Sequence, residues 1–166
     1  MEYNKQDLLD KITTFLSSID LKLNFSSLDF PTFLPGIHIE NGVILVDKDK
    51  LTYPGDLLHE AGHLALLSPE DRANANGNLE PGEDKQKSLE MGVICWSWAA
   101  LLHLQLDPKV VFHDEGYRGA SDWYIQMYST GNYIGLPLLQ WMELCKHPSD
   151  VNNNPPFPHM LKWTRG

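Results

Sequence analysis

Apolar positions recur at helical spacing from the start of the chain. Leu8, Leu9, Ile12, Phe15, Leu16 and Ile19 share one face of a helix expected over residues 4–19. Residues 20–36 lose that period, and Pro31, Pro35 and Gly36 mark them as a connection. The pattern then becomes Ile37-His38-Ile39-Glu40, Asn41-Gly42, Val43-Ile44-Leu45-Val46. Asn-Gly between two β-branched runs predicts a hairpin, because the tight turn needs positive φ at both central residues. The second strand is apolar throughout and is expected to be buried on both faces. Thr52 is placed to cap a helix with Pro54 in its first turn, ending near Leu67 ahead of Ser68-Pro69. Residues 68–83 are polar and read as a loop. A second long helix is expected from about Asp84 to Leu106, a short extended piece at Val110-Val111-Phe112, and helices over 121–129 and 137–146. The tail, 147–166, carries Pro148, Pro155, Pro156 and Pro158 and reads as extended, docked through Phe157, Met160 and Trp163.

At 166 residues this is one domain, 1–166, mostly helical with a small sheet: an α+β fold. There are 13 Lys+Arg against 22 Asp+Glu, a formal charge of −9. That balance argues against a phosphate-tracking surface, so no nucleic-acid partner is expected. The longest apolar run, Met91 to Leu102, falls short of the roughly twenty residues a membrane helix needs. The N-terminal MEYNKQDLLDK has no signal-peptide core, so a soluble, cytoplasmic protein without a membrane partner is expected. The two cysteines, Cys95 and Cys145, make neither a disulfide framework nor a C-x-x-C thiolate site, and Cys95 reads as a buried free thiol.

The chemistry concentrates in Leu57-Leu58-His59-Glu60-Ala61-Gly62-His63-Leu64-Ala65. Residues four apart on a helix stack on one face, so His59 and His63 can grip one ion through neutral ring nitrogens. Glu60 is placed to reach a water on that ion and act as general base. Zinc would bring the water's pKa toward neutrality and polarise a carbonyl. Without an ion, two histidines and a glutamate on an apolar helix would each need another partner. Two histidines and a carboxylate leave a fourth position open, as a catalytic centre requires.

The third ligand must come from elsewhere. Glu90 stands out because stepping by three and four from it gives Ile94, Ser97, Leu101 and Leu104, a largely inward face where an unpaired carboxylate is unfavourable. Glu83, His103 and His113 are alternatives. The plainer reading of Glu90 is a helix-face carboxylate meeting Lys87.

The segment NGVILVDKDKLTYPGDLLHEAGHLALL, followed by a glutamate on a later helix, resembles the gluzincin type of zincin metallopeptidase, most closely the small ImmA/IrrE-type enzymes. The resemblance covers roughly residues 37–106. It implies a zincin-like fold, Zn2+ on His59, His63 and Glu90, and Glu60 as general base. It also implies a peptide or protein substrate laid along the edge of a strand beside the active helix. The chain from Val110 onward does not follow the family, and no helix-turn-helix module is attached.

In the loop Phe112-His113-Asp114-Glu115-Gly116-Tyr117-Arg118-Gly119, His113 and Tyr117 are candidate donors to the oxyanion formed during attack, alongside ordinary turn contacts. His38 reads as a cross-strand residue and His103 as a satisfied core histidine. Trp96, Trp98, Trp123, Tyr124, Tyr128, Tyr133 and Trp141 read chiefly as core. Gly62, costly inside a helix, is expected where another element approaches closely. A zinc-dependent peptidase is the leading expectation; the alternatives are a non-catalytic metal-binding or interaction module and a metal-free helical regulator.

Overall fold

The computed structural model describes residues 3–77 and 84–166, and over 84–87 the backbone only. The first helix, α1 (Lys5–Ser18), starts where the Asn4 side chain accepts from the Gln6 N–H, and it buries Leu9, Ile12, Phe15 and Leu16. Leu8 and Ile19 sit at the rim of that stripe.

Three strands follow. The hairpin forms as expected, β2 (Ile37–Glu40) antiparallel to β3 (Val43–Val46), with Asn41 at φ 48° and Gly42 at φ 76°. The connection before it holds a strand that the pattern did not suggest: β1 (Lys22–Phe25) pairs parallel with β3. Its side chains are exposed apart from half-buried Leu23, so no alternation betrays it. The order is β1-β3-β2, which makes β3 central. Ile44 and Val46 are buried while Val43 and Leu45 are only half-buried, so β3 is covered fully on one face, not on both.

The HEAGH sequence lies on α2 (Asp56–Leu66), in which every residue is buried. Thr52 does not cap it. The N-cap is Gly55, with no side-chain cap, and the Tyr53, Pro54 and Gly55 carbonyls make the first turn's bonds. A Cβ on Gly55 would stand 1.8 Å from the Val110 carbonyl oxygen. A tertiary contact, rather than a capping side chain, decides where this helix starts. Residues 68–83 are not all loop: Ser68 caps a short helix, α3 (Pro69–Ala73), by accepting from the Asp71 N–H at 3.2 Å.

The long helix α4 (Asp84–His103) ends before Leu106, because Gln105 turns left-handed at φ 56° and the Leu106 N–H bonds back to the Leu101 carbonyl. The expected extended piece near Val110 is instead a single 3-10 turn, Pro108–Val110, after which Val111 and Phe112 enter the core. Helix α5 (Ser121–Ser129) falls where expected, and α6 (Leu136–Trp141) is shorter than its pattern, with Glu143 at φ 61° just beyond it.

The tail docks. Phe157 and Met160 are buried, and Trp163 stands edge-on to Phe15 and Trp96 at 5.0 and 5.6 Å. His103 is not a core histidine: it is exposed, with its ring against Phe15 and Trp163. Trp96, Trp98 and Tyr128 are buried, whereas Trp123 and Trp141 face solvent. Buried residues from α1 to the tail form one continuous cluster. Cys95 and Cys145 are both buried and unbridged, and burial pushes the Cys145 thiol up to about 11. Among the described residues no helix is long and apolar enough to cross a membrane.

The C-terminal end of α2 is closed by a side chain from outside it. Arg72 Nε donates to the Leu64 carbonyl at 2.8 Å, and Nη2 reaches Ala65, Leu67 and Arg165 carbonyls at 3.2, 3.0 and 2.8 Å. The Leu64, Ala65 and Leu67 carbonyls are acceptors of the α2 end, met by a cation where the helix dipole favours one, and the Arg165 carbonyl ties the tail to the same guanidinium. Arg72→Ala is expected to lower unfolding stability by about 2 kcal/mol in urea titration, and Arg72→Lys to recover less than half, since an ammonium cannot fork between carbonyls.

Candidate metal centre

Helices α2 and α4 cross at Gly62. A Cβ there would lie 3.0 Å from Val93 Cγ1 and 3.1 Å from Trp96 Cε3, so the expected close approach is present. Val93 follows Glu90 by one turn. The short separation therefore brings the Glu90 carboxylate over the face that carries His59 and His63.

The three groups converge. His59 Nε2 lies 3.1 Å from Glu90 Oε1, His63 Nε2 lies 3.2 Å from Glu90 Oε2, and the two Nε2 atoms are 3.2 Å apart. The vertices of a tetrahedron whose ligands sit about 2.0–2.1 Å from its centre are about 3.3–3.4 Å apart, so this donor set has the dimensions of a divalent-ion site. Glu90 Oε2 is buried and, despite its nearness to His63, makes no hydrogen bond. Such an orphaned acceptor among imidazole nitrogens is what a cation would satisfy. Among the described residues, His59, His63 and Glu90 form a group that could hold one.

Burial holds the imidazole of His63 neutral, with its pKa pushed down to about 4; the neighbouring His59 adds to this and Glu90 opposes it. A neutral ring is the ligating form. For Glu90, burial pushes the pKa up, but the hydrogen bond from His59 and the two nearby imidazoles prevail and hold it below its ordinary value.

Glu60 is 5% exposed, on the same helix. It lines a cavity of about 30 Å³ with Phe33, Leu34, Ile37, His38, Ile39 and Gly77. That is room for a water or two. His38 packs its ring edge-on to Phe30 at 4.8 Å and borders this cavity, a place beyond plain strand pairing. The edge strand that shares this cavity with α2 is β2. Its outer edge is already in part taken: the Ile37 N–H donates to Leu34, and the Ile39 carbonyl accepts from the Gly77 N–H at 2.8 Å.

His113 and Tyr117 come to the site, but each already has a partner. Tyr117 Oη lies 3.1 Å from His59 Nδ1. His113 Nε2 lies 2.7 Å from Asp56 Oδ1, and its ring stacks on Tyr53 at 3.8 Å. Tyr117 thus stands against His59, and His113 against Asp56 one turn earlier on α2. Burial first, then the carboxylates of Asp56 and Glu90, push the Tyr117 phenol well above its ordinary range, so it stays protonated. Burial raises the Asp56 pKa, against the hydrogen bond and charge of His113 and the charge of His59.

Asp56 is the residue the motif did not flag. It stands three before His59 and four before Glu60, so the helical stripe carrying the motif did contain the signal. Of the other ligand candidates, His113 is committed to Asp56, His103 lies exposed at the far end of α4, and Glu83 falls outside the described residues. The pairing of Glu90 with Lys87 likewise falls outside what is described. No family model matches this chain, and comparison with curated proteins and with solved structures finds no match.

A histidine whose folded pKa lies below its unfolded value of about 6.5 takes up its proton more readily when unfolded. Stability of the metal-free chain is therefore full above pH 6.5 and falls as the pH drops toward 4, by about 2–3 kcal/mol from His63 alone. Urea midpoints between pH 7 and 4 should trace this loss, and His63→Gln should flatten it.

Proposed function

We propose that this chain is a metal-dependent peptidase of the gluzincin kind, with a zincin-like arrangement of β2, α2 and α4 and zinc as its ion. The observation that carries this reading is the meeting of His59 and His63, on the helix that also bears buried Glu60, with Glu90 of α4, at nitrogen–oxygen and nitrogen–nitrogen distances of 3.1–3.2 Å. A bound divalent ion would supply a Lewis acid that acidifies water and polarises a carbonyl.

The chain's own residues do the rest. His59, His63 and Glu90 would hold the ion. Glu60 takes a proton from the attacking water as the water oxygen bonds to the peptide carbonyl carbon. It then passes that proton to the amide nitrogen as the C–N bond breaks. The enclosed position of Glu60 keeps bulk solvent from competing for that proton. The substrate is a peptide or protein segment that presents one carbonyl at the cavity shared by Glu60 and β2.

One observation favours a second reading, a metal-binding module without turnover. The β2 edge that an extended peptide would pair with is partly occupied by Leu34 and Gly77.

The same experiment separates the two. Natively purified chain should carry about one zinc by elemental analysis, and less than about 0.1 zinc after remetallation at neutral pH would defeat both readings. Against a peptide library read by mass spectrometry, the loaded chain should cleave. Glu60→Gln should keep its zinc and lose a factor of about 10²–10⁴ in turnover. A full zinc site with no cleavage of any peptide would leave the module.

A further inference from the structure

The loop that follows the 3-10 turn spends backbone energy to place one side chain. Tyr117 and the next residue, Arg118, both have left-handed backbones, at φ 55° and 53°. Neither is glycine or asparagine, and such conformations cost on the order of 1–3 kcal/mol each. Two consecutive ones persist only where the surroundings over-determine them. They do so here. Ser121 Oγ donates to the His113 carbonyl at 2.6 Å, and the Ala120 N–H returns to the Tyr117 carbonyl at 3.0 Å. His113 ties the loop's start to Asp56 on α2. The Tyr117 ring is wedged against Phe112 and Tyr124 at 4.9 and 5.6 Å, and it meets the His59 ring edge-on at 5.5 Å. The strained turn ends with the phenol 3.1 Å from His59 Nδ1.

A phenol at that atom has a property that a carboxylate or carbonyl lacks. It is both donor and acceptor. Without an ion, the hydrogen bond from His59 Nε2 to Glu90 puts the ring's proton on Nε2, and Nδ1 must then accept. With an ion on Nε2 the proton must sit on Nδ1, which then donates. A hydroxyl can face Nδ1 in both states by rotating its O–H, with no movement of the ring that carries it.

We propose that Tyr117 is a positioning residue for His59: its hydroxyl donates to Nδ1 in the metal-free chain and accepts from Nδ1–H once an ion is held, so that the ligand ring changes tautomer without losing its orientation. This rests on the metal-centre reading above. It assigns Tyr117 a role through His59 rather than on the reacting carbonyl.

The test uses the full chain and zinc alone, with 15N-labelled histidine. In the wild type, imidazole 15N shifts of His59 should report the Nε2–H tautomer before zinc and Nδ1–H after it. In Tyr117→Phe the metal-free ring should keep its proton on Nε2, held by Glu90, while its Nδ1 shift moves because the donor to that atom is gone. Its zinc affinity, by competition with a chelating dye, should fall about 10–100-fold, the usual effect of losing an outer-shell partner. Its urea midpoint should stay close to wild type. An unchanged affinity together with unchanged His59 shifts would overturn the proposal. Should Tyr117→Phe fail to fold, wild-type spectra decide alone: the same His59 tautomer with and without zinc would overturn it. A wild type that binds no zinc defeats the metal centre instead, which is a separate result. In that case His59 shifts unaffected by Tyr117→Phe would defeat the positioning role as well.

Discussion

The approach of α2 to α4 at Gly62 is the constraint on which the rest of this molecule turns. Val93 and Trp96 lie so close that even a Cβ at position 62 would push their side chains back by a few tenths of an ångström. That contact fixes the height of Glu90 against His59 and His63, because one turn of helix separates Glu90 from Val93. Both helices are buried at the crossing, so the pair cannot slide without opening the core. The polar convergence is therefore held by apolar packing. Gly62 costs helix propensity, and the crossing it permits returns more than that through burial.

Around the three converging groups the chain places a second set of polar side chains, and they come from two separate stretches of chain. Asp56 lies one turn ahead on α2, while His113 and Tyr117 arrive on the loop after the 3-10 turn. Asp56 and His113 bond one another, which ties that loop to α2. Tyr117 then reaches His59 from behind. Buried polar groups satisfied in this way rigidify a site, since each holds its neighbour's rotamer. The strained pair Tyr117–Arg118 marks where backbone regularity yields to the placement of one hydroxyl.

Much of this was legible in the linear pattern, for reasons that differ by element. The hairpin was readable because Asn41-Gly42 must take positive φ, and α5 because its period is undisturbed. The failures share a cause. Strand β1 carries no apolar alternation, and its partner β3 lies some twenty residues on. The start of α2 depends on Gly55 meeting the Val110 carbonyl, so Thr52 looked like a cap and was not one. The α2 C-terminus is closed by Arg72, a residue whose local surroundings read as solvated loop. His103 looked internal because its neighbours in sequence are apolar, yet the helix ends there and turns it outward.

For the site, helical period alone put two imidazoles on one face with a glutamate beside them, and the same period marked Glu90 as an acid on an inward stripe. Short-range geometry suffices for such statements, because 3.6 residues per turn is a property of the backbone. Distances between elements are not encoded that way. That Glu90 meets both imidazoles, that His113 pairs with Asp56, and that Tyr117 stands behind His59 follow from how helices cross and how a loop folds back over them. Those outcomes depend on the simultaneous packing of side chains far apart in the chain, and only the assembled core decides them.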